Sequence, residues 1–274
     1  MALRMTTHLG LARQDLAYEP VAVRLRAFLD GEPALDTVAG VLVWEPRRIV
    51  PTYAVPARDL LVEIEASDPQ PERPDLAALP PVLGPGSFER HTTPGTAVDL
   101  VRGPRRLPRA GFVPADADLD GLVVLDFAAL DGWLAEDEPL VGHPRDPFKR
   151  IDVLASHRSV EVRLDGTVLA RTDRAQLLIE GPMLALVRYY VPAQDVVPGV
   201  LVPSETRTTC AYKGRASYLS TADGRPEGRD IGWTYPEPLD DAVRVRDHVA
   251  FWNERTDVLV DGEVVERPVT PWSR

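Results

Sequence analysis

Apolar and polar residues alternate with a period of two along most of this chain. VEVRLDGTVLAR (Val160 to Arg171) is two such runs around Asp-Gly, the strongest short-range hairpin signal. DVLVDGEVVERP (Asp257 to Pro268) repeats it at Asp261-Gly262. ALVRYYVP (Ala185 to Pro192) alternates and stops at its proline, and AVRVRDHVAFW (Ala242 to Trp252) sets valine against arginine and aspartate, as a half-buried strand does. Helical periodicity is scarce. FAALDGWLAEDE (Phe127 to Glu138) is the best candidate for a helix, with Gly132 working against it. The pattern predicts a mostly β protein: two similar compact β-rich domains of bent antiparallel strands and hairpins, with few helices.

Two domains are expected because the pattern occurs twice. Val23 to Pro46 resembles Val160 to Pro182, aligning Asp30-Gly31 with Asp165-Gly166, Thr37 with Thr172 and Glu45 with Glu180. YAVPARDL (Tyr53 to Leu60) matches YYVPAQDV (Tyr189 to Val196), and HTTPGTAVDL (His91 to Leu100) matches TTCAYKGRASYL (Thr208 to Leu219) once Ala211-Tyr212-Lys213 is removed. The first copy has extra residues in a proline-rich excursion, 66–87, suited to a surface path rather than a strand. Near the ends, LDGLVVLDFAAL resembles LDDAVRVRDHVAF with Asp120 opposite Asp241. The expected domains are 21–142, a degenerate first repeat, and 143–268, the fuller second one.

Composition narrows the function classes. A formal charge of −11 argues against nucleic-acid and anionic-membrane surfaces. One cysteine excludes an intramolecular disulfide and a multi-cysteine zinc site and suits a reducing cytoplasm. The N-terminal stretch has no signal-like apolar core, and no apolar run approaches membrane-spanning length. Of 31 basic residues only Lys149 and Lys213 are lysines. Lysine, unlike arginine, acts as a base or Schiff-base amine when its pKa is lowered.

RYYVPAQDV, VPSETRTTCAYKGRASY, IGWTYPEP and VAFWNERTDVLVDGE, with the stretch His143 to Gly181, resemble the bacterial family known as domain of unknown function 427, also filed under a nucleotidyltransferase-like name. The resemblance is strong from Arg145 to about Pro268 and weak from Val21 to Phe127, in the manner of a tandem two-copy form. Ala211 stands where the family pattern has proline in Cys-Pro-Tyr-Lys-Gly. The resemblance implies a compact β-rich fold and no established reaction.

Three constellations carry candidate chemistry. In the first, Cys210, Tyr212 and Lys213 lie at a turn, with Glu205 and Arg207 upstream. Lys213 there suits a carboxylate or phosphate, or a Schiff base if desolvated. Cys210 is nucleophilic only with a lowered pKa. The structural alternative makes Cys210 a small buried apolar residue and Lys213 a solvated turn residue. In the second, Tyr190 and Asp195 accompany the Val-Pro-Ala-x-Asp repeat, a turn stabilised by aspartate or a general base near Lys213. In the third, Trp233 and Tyr235 are either a stacking surface for a planar ligand or core filling. The histidines show no metal-ligand spacing, no metal site is indicated, and any cofactor is left open. Three functions remain: a small polar or anionic metabolite bound in the second repeat, with Lys213 the choice for any catalytic role; a non-catalytic interaction module; and nucleotidyl transfer, which needs clustered carboxylates for Mg²⁺. The sequence leaves the oligomeric state undetermined.

Overall fold

Asp-Gly pairs build the hairpins that frame the structure. In the computed structural model Asp30-Gly31, Asp165-Gly166 and Asp261-Gly262 all take positive φ at both residues. That is the type I′ combination, whose twist suits the strands it joins. The flanking pairs are Leu29 with Glu32, Leu164 with Thr167 and Val260 with Glu263, two-residue turns in each case. The structure describes residues 2, 4, 5, 7, 10, 14–68, 79, 80, 82–181, 186–270 and 273. Residues 69–78 and 81 of the proline-rich excursion, and Ala185 of the ALVRYYVP stretch, lie outside them.

The chain divides into two units, Met1–Asp146 and Pro147–Arg274. The first contains β1 (Ala17–Pro20), β2 (Leu25–Leu29), β3 (Glu32–Thr37), β4 (Val41–Trp44), β5 (Thr52–Pro56), β6 (Glu63–Ala66), β7 (Gly95–Arg102), β8 (Arg105–Pro114), β9 (Leu122–Leu125), β10 (Gly132–Ala135) and β11 (Glu138–Leu140). The second contains β12 (Arg150–Ala155), β13 (Val160–Leu164), β14 (Thr167–Thr172), β15 (Gln176–Gly181), β16 (Leu186–Pro192), β17 (Leu201–Cys210), β18 (Gly214–Thr221), β19 (Gly232–Thr234), β20 (His248–Phe251), β21 (Asp257–Val260) and β22 (Glu263–Val264).

Each unit is a seven-stranded and a four-stranded antiparallel sheet. The large sheets run β1-β4-β5-β9-β8-β7-β6 and β12-β15-β16-β20-β19-β18-β17; the small ones run β11-β10-β2-β3 and β14-β13-β21-β22. Counted in chain order within each unit, the two topologies coincide strand for strand.

Alternation gives each large sheet two buried faces. In the first unit Leu42, Trp44, Tyr53 and Val55 pack with Leu25, Ala27 and Leu29 of the small sheet. The intervening Val43 and Ala54 join Phe88, Phe112 and Val124 on the other side. In the second unit Val191 and Val249 meet Val160 and Val162, while Leu178, Tyr190 and Ala250 join Trp233 and Tyr235 opposite. The polar cluster described below lies on that opposite face.

The repeated Val-Pro-Ala-x-Asp has a common structural use. Asp59 accepts the Thr37 hydroxyl at 2.6 Å and Asp195 the Thr172 hydroxyl at 2.7 Å, tying the turn after β5 or β16 to the small sheet. Two local expectations fail. Phe127 to Glu138 is a short 3-10 turn followed by β10, because Asp126 caps the turn through Ala128 N and the strand then pairs with β2. In AVRVRDHVAFW only β20 is strand; Asp240–Val245 form a 3-10 helix burying Ala242 and Val245. The ends therefore align differently from the expected Asp120–Asp241 match. Ala57 N donates to Gly121 O at 3.0 Å and Ala193 N to Asp247 O at 2.9 Å, which equates Gly121 with Asp247.

Candidate functional site

The three residues Ala211, Tyr212 and Lys213 form the turn between β17 and β18, with Cys210 opposite Gly214. Gly214 follows at φ 93°, and a Cβ there would stand 3.1 Å from Glu237 O. Leu239 N donates to Lys213 O at 3.2 Å. Those constraints turn Lys213 inward: it is 8% exposed, and Tyr212 is 3% exposed beside it.

The Lys213 ammonium donates to Glu180 Oε1. Lys149 reaches the second oxygen of the same carboxylate, at 2.8 Å. The only two lysines of the chain thus converge on one glutamate. Each also stands near a ring, Lys149 4.9 Å from the centre of Tyr212 and Lys213 5.9 Å from that of Tyr235, within cation–π range. Tyr190, fully buried below, accepts from Trp233 Nε1 at 3.2 Å.

Burial pushes the Glu180 carboxyl up, but Lys213 and then Lys149 outweigh it and bring it down to about 2. Burial pulls the Lys213 ammonium down, and Glu180 above all outweighs that, holding it well above the usual lysine range. Burial also raises the Tyr235 and Tyr190 phenols, against the pull of Lys213. At neutral pH Lys213 is therefore an ammonium group, Glu180 a carboxylate, and Tyr190 and Tyr235 neutral phenols. A protonated Lys213 is a fixed cation and a hydrogen-bond donor; it is not a nucleophile.

The other sequence candidates divide. Tyr190, Tyr212 and Tyr235 join the cluster, and half-buried Cys210 lies close enough to act on Lys213 and both phenols. Glu205 and Arg207 do not: both are exposed on β17, and Arg207 donates to the carbonyls of Ser204 and Thr206. Asp195 is held by Thr172 and Arg174 and sits in the turn after β16. Trp233 offers no stacking surface, since its ring lies against Trp252 and under the Arg188 guanidinium, at 4.7 and 5.5 Å. Arg188 in turn makes a two-pronged pair with Glu254 at 2.6 and 2.7 Å. Sequence reasoning missed Glu180 and Lys149 as site residues. Their signals were present: Glu180 aligns with Glu45, and Lys149 is the other lysine.

Glu45 is the corresponding buried carboxylate of the first unit. It accepts from Arg48 Nε at 2.8 Å, Thr92 N at 2.9 Å and the Thr93 hydroxyl at 2.9 Å, with His91 Nδ1 at 3.0 Å. Burial opposes its ionisation, and His91 and Arg48 nonetheless bring it to about 2. Pro94 stands where the second unit has Lys213: Ala115 N donates to Pro94 O as Leu239 N does to Lys213 O. Without the lysine, backbone and threonine donors take its place.

Fold and site together define a β protein with one topology in both units and a buried, cation-bound glutamate in each. The model of the family described as Domain of unknown function (DUF427) matches residues 152–262, which supports that family and detects one copy. No curated protein matches the chain. Among the described residues no group of three or more His, Cys, Asp and Glu is placed to hold a metal. No helix among them is long and apolar enough to cross a membrane.

Proposed function

We propose that the second unit binds a small anionic metabolite, a carboxylate or phosphate compound, at the Lys149–Glu180–Lys213 cluster, in a cytoplasmic bacterial protein built from two copies of one domain. The observation that carries this is stoichiometric. Two ammonium groups share a single carboxylate in a mostly buried setting, and among the described residues neither forms a second salt bridge. An anionic oxygen is the chemical complement, and Lys149, with 27% of its side chain exposed, is the open edge. Lys213 then acts by fixed charge, in binding or in stabilising a developing anion. The shared strand order and the Glu45–Glu180 equivalence support the duplicated reading, with the first copy having lost the lysine.

Thermal shift of the full chain with inorganic phosphate, succinate and adenosine monophosphate tests the site. A bound anion raises Tm with concentration, and Lys149→Gln, which keeps the Lys213–Glu180 pair, abolishes the rise. Equal rises in wild type and variant remove the assignment. A second reading, a non-catalytic module in which the cluster is only an internal ion pair, draws on the saturated Glu45. It predicts no anion-dependent rise in either protein.

A further inference from the structure

The turn after β9 and the turn after β20 are the same turn with different side chains. Asp126 N donates to Ala110 O at 2.8 Å, and Ala129 N closes onto Asp126 O at 3.2 Å. Trp252 N donates to Ile231 O at 3.1 Å, and Arg255 N closes onto Trp252 O at 2.9 Å. Asp126 and Trp252 therefore occupy one position of the fold. In the second unit the indole packs on Trp233 and donates to Asp230 O at 2.9 Å. In the first unit the position carries a carboxylate, and it borders a cavity of about 210 Å³.

Pro51, Phe88, Phe127 and Pro144 supply apolar walls to this cavity, and Arg48 and Asp126 contribute charge. Arg48 is already committed. Its Nε is on Glu45, and Nη2 is on the carbonyls of Phe88 and Arg90, at 2.9 and 3.3 Å. Asp126 is not. One oxygen accepts from Ala128 N at 3.0 Å, and among the described residues it forms no salt bridge. Burial pushes its carboxyl above the usual range, against the Ala128 N–H and Arg48, and Glu89 nearby adds to that push. With Arg48 paired to Glu45, Asp126 is the charged lining residue that has no salt-bridge partner among the described residues. The space exceeds the roughly 150 Å³ that admits benzene in an apolar protein interior.

We infer that this cavity is a second ligand site, for a small organic cation: one ammonium on a single ring or short apolar body, with the ammonium on Asp126 and the body between Phe88 and Phe127. The counter-charge is the Asp126 carboxylate, which favours a cation over a neutral molecule of the same shape. The site lies in the other unit and takes the opposite charge from the anion cluster, so either stands if the other fails.

Benzylamine and benzyl alcohol, alike in shape and different in charge, are the probes, followed by amide NMR of the full chain. Benzylamine should shift the amides of Asp126 to Ala128 and of Phe88 saturably, and bind about tenfold or more tighter than benzyl alcohol. Asp126→Asn keeps an oxygen for the Ala128 N–H. It should lose that tenfold for benzylamine and leave benzyl alcohol unchanged. Equal affinities for the two probes, an unaltered benzylamine affinity in Asp126→Asn, or no saturable shift at these amides overturns the inference. If Asp126→Asn fails to fold, the ratio of the two probes on the wild-type chain decides.

Discussion

Glu180 depends on its lysines more than they depend on it. A carboxylate this buried is tolerable only when paired, and removing one partner of such a pair costs far more than the pair contributes net. Lys213→Met keeps an unbranched side chain one atom shorter and removes its charge. It should destabilise the second unit by about 3 kcal/mol, read by urea denaturation. Lys213→Met with Glu180→Gln should recover part of that loss, because the buried carboxylate is gone and the one charge left, Lys149, is partly exposed. A double variant as unstable as the single one would mean the cost comes from packing around Tyr212 and Tyr235. The same ion pair bears on chemistry. With its ammonium stabilised, Lys213 should resist reductive trapping by carbonyl compounds at neutral pH, and borohydride labelling found at Lys213 by mass spectrometry would restore the nucleophile reading.

At the scale of strands and turns, Gly214 decides where Lys213 points. Its φ of 93° disfavours any side chain, and a Cβ would meet the Glu237 carbonyl at 3.1 Å, a backbone atom that cannot step aside cheaply. Gly214→Ala should cost about 1–3 kcal/mol. Gly132→Ala, at a position with no positive φ and nothing within 4 Å, should be neutral or slightly stabilising. Comparable Tm losses in the two variants would contradict this. The sequence made such elements legible where local chemistry sets them: the Asp-Gly hairpins, the Thr–Asp turn and the three-residue turn before Gly214. It was misleading where tertiary contacts outweigh periodicity. Val243 and Val245 alternate with arginine as a strand would, yet a six-residue 3-10 helix buries Ala242 and Val245, three apart, and leaves Val243 exposed. The site was half legible for the same reason. Lys213 and the tyrosines stand out in one short stretch, whereas the Glu180 carboxylate reaches them only because Leu178 and Tyr190 face the same side of the sheet. Arg207 and Glu205 adjoin Lys213 in sequence but stay exposed on β17.

Each unit carries one carboxylate held at about 2, Glu45 in the first and Glu180 in the second. Both folded values lie below the roughly 4.3 of an unfolded glutamate. The stabilisation is therefore complete above the unfolded value and is lost as pH falls from there through about 2. Each residue contributes on the order of 3 kcal/mol to its own unit over that window. Because each unit has its own core on both faces of its large sheet, the two losses should be separable. Glu45→Gln should flatten the acid dependence of amides in Met1–Asp146 alone, and Glu180→Gln that of amides in Pro147–Arg274 alone. Residue-resolved hydrogen exchange between pH 5 and pH 2, each limit taken at about the edge of the titration window, reads both at once. If either substitution flattened both units equally, stability would be shared across the chain, and the two glutamates would belong to one cooperative structure rather than to a device present once in each unit.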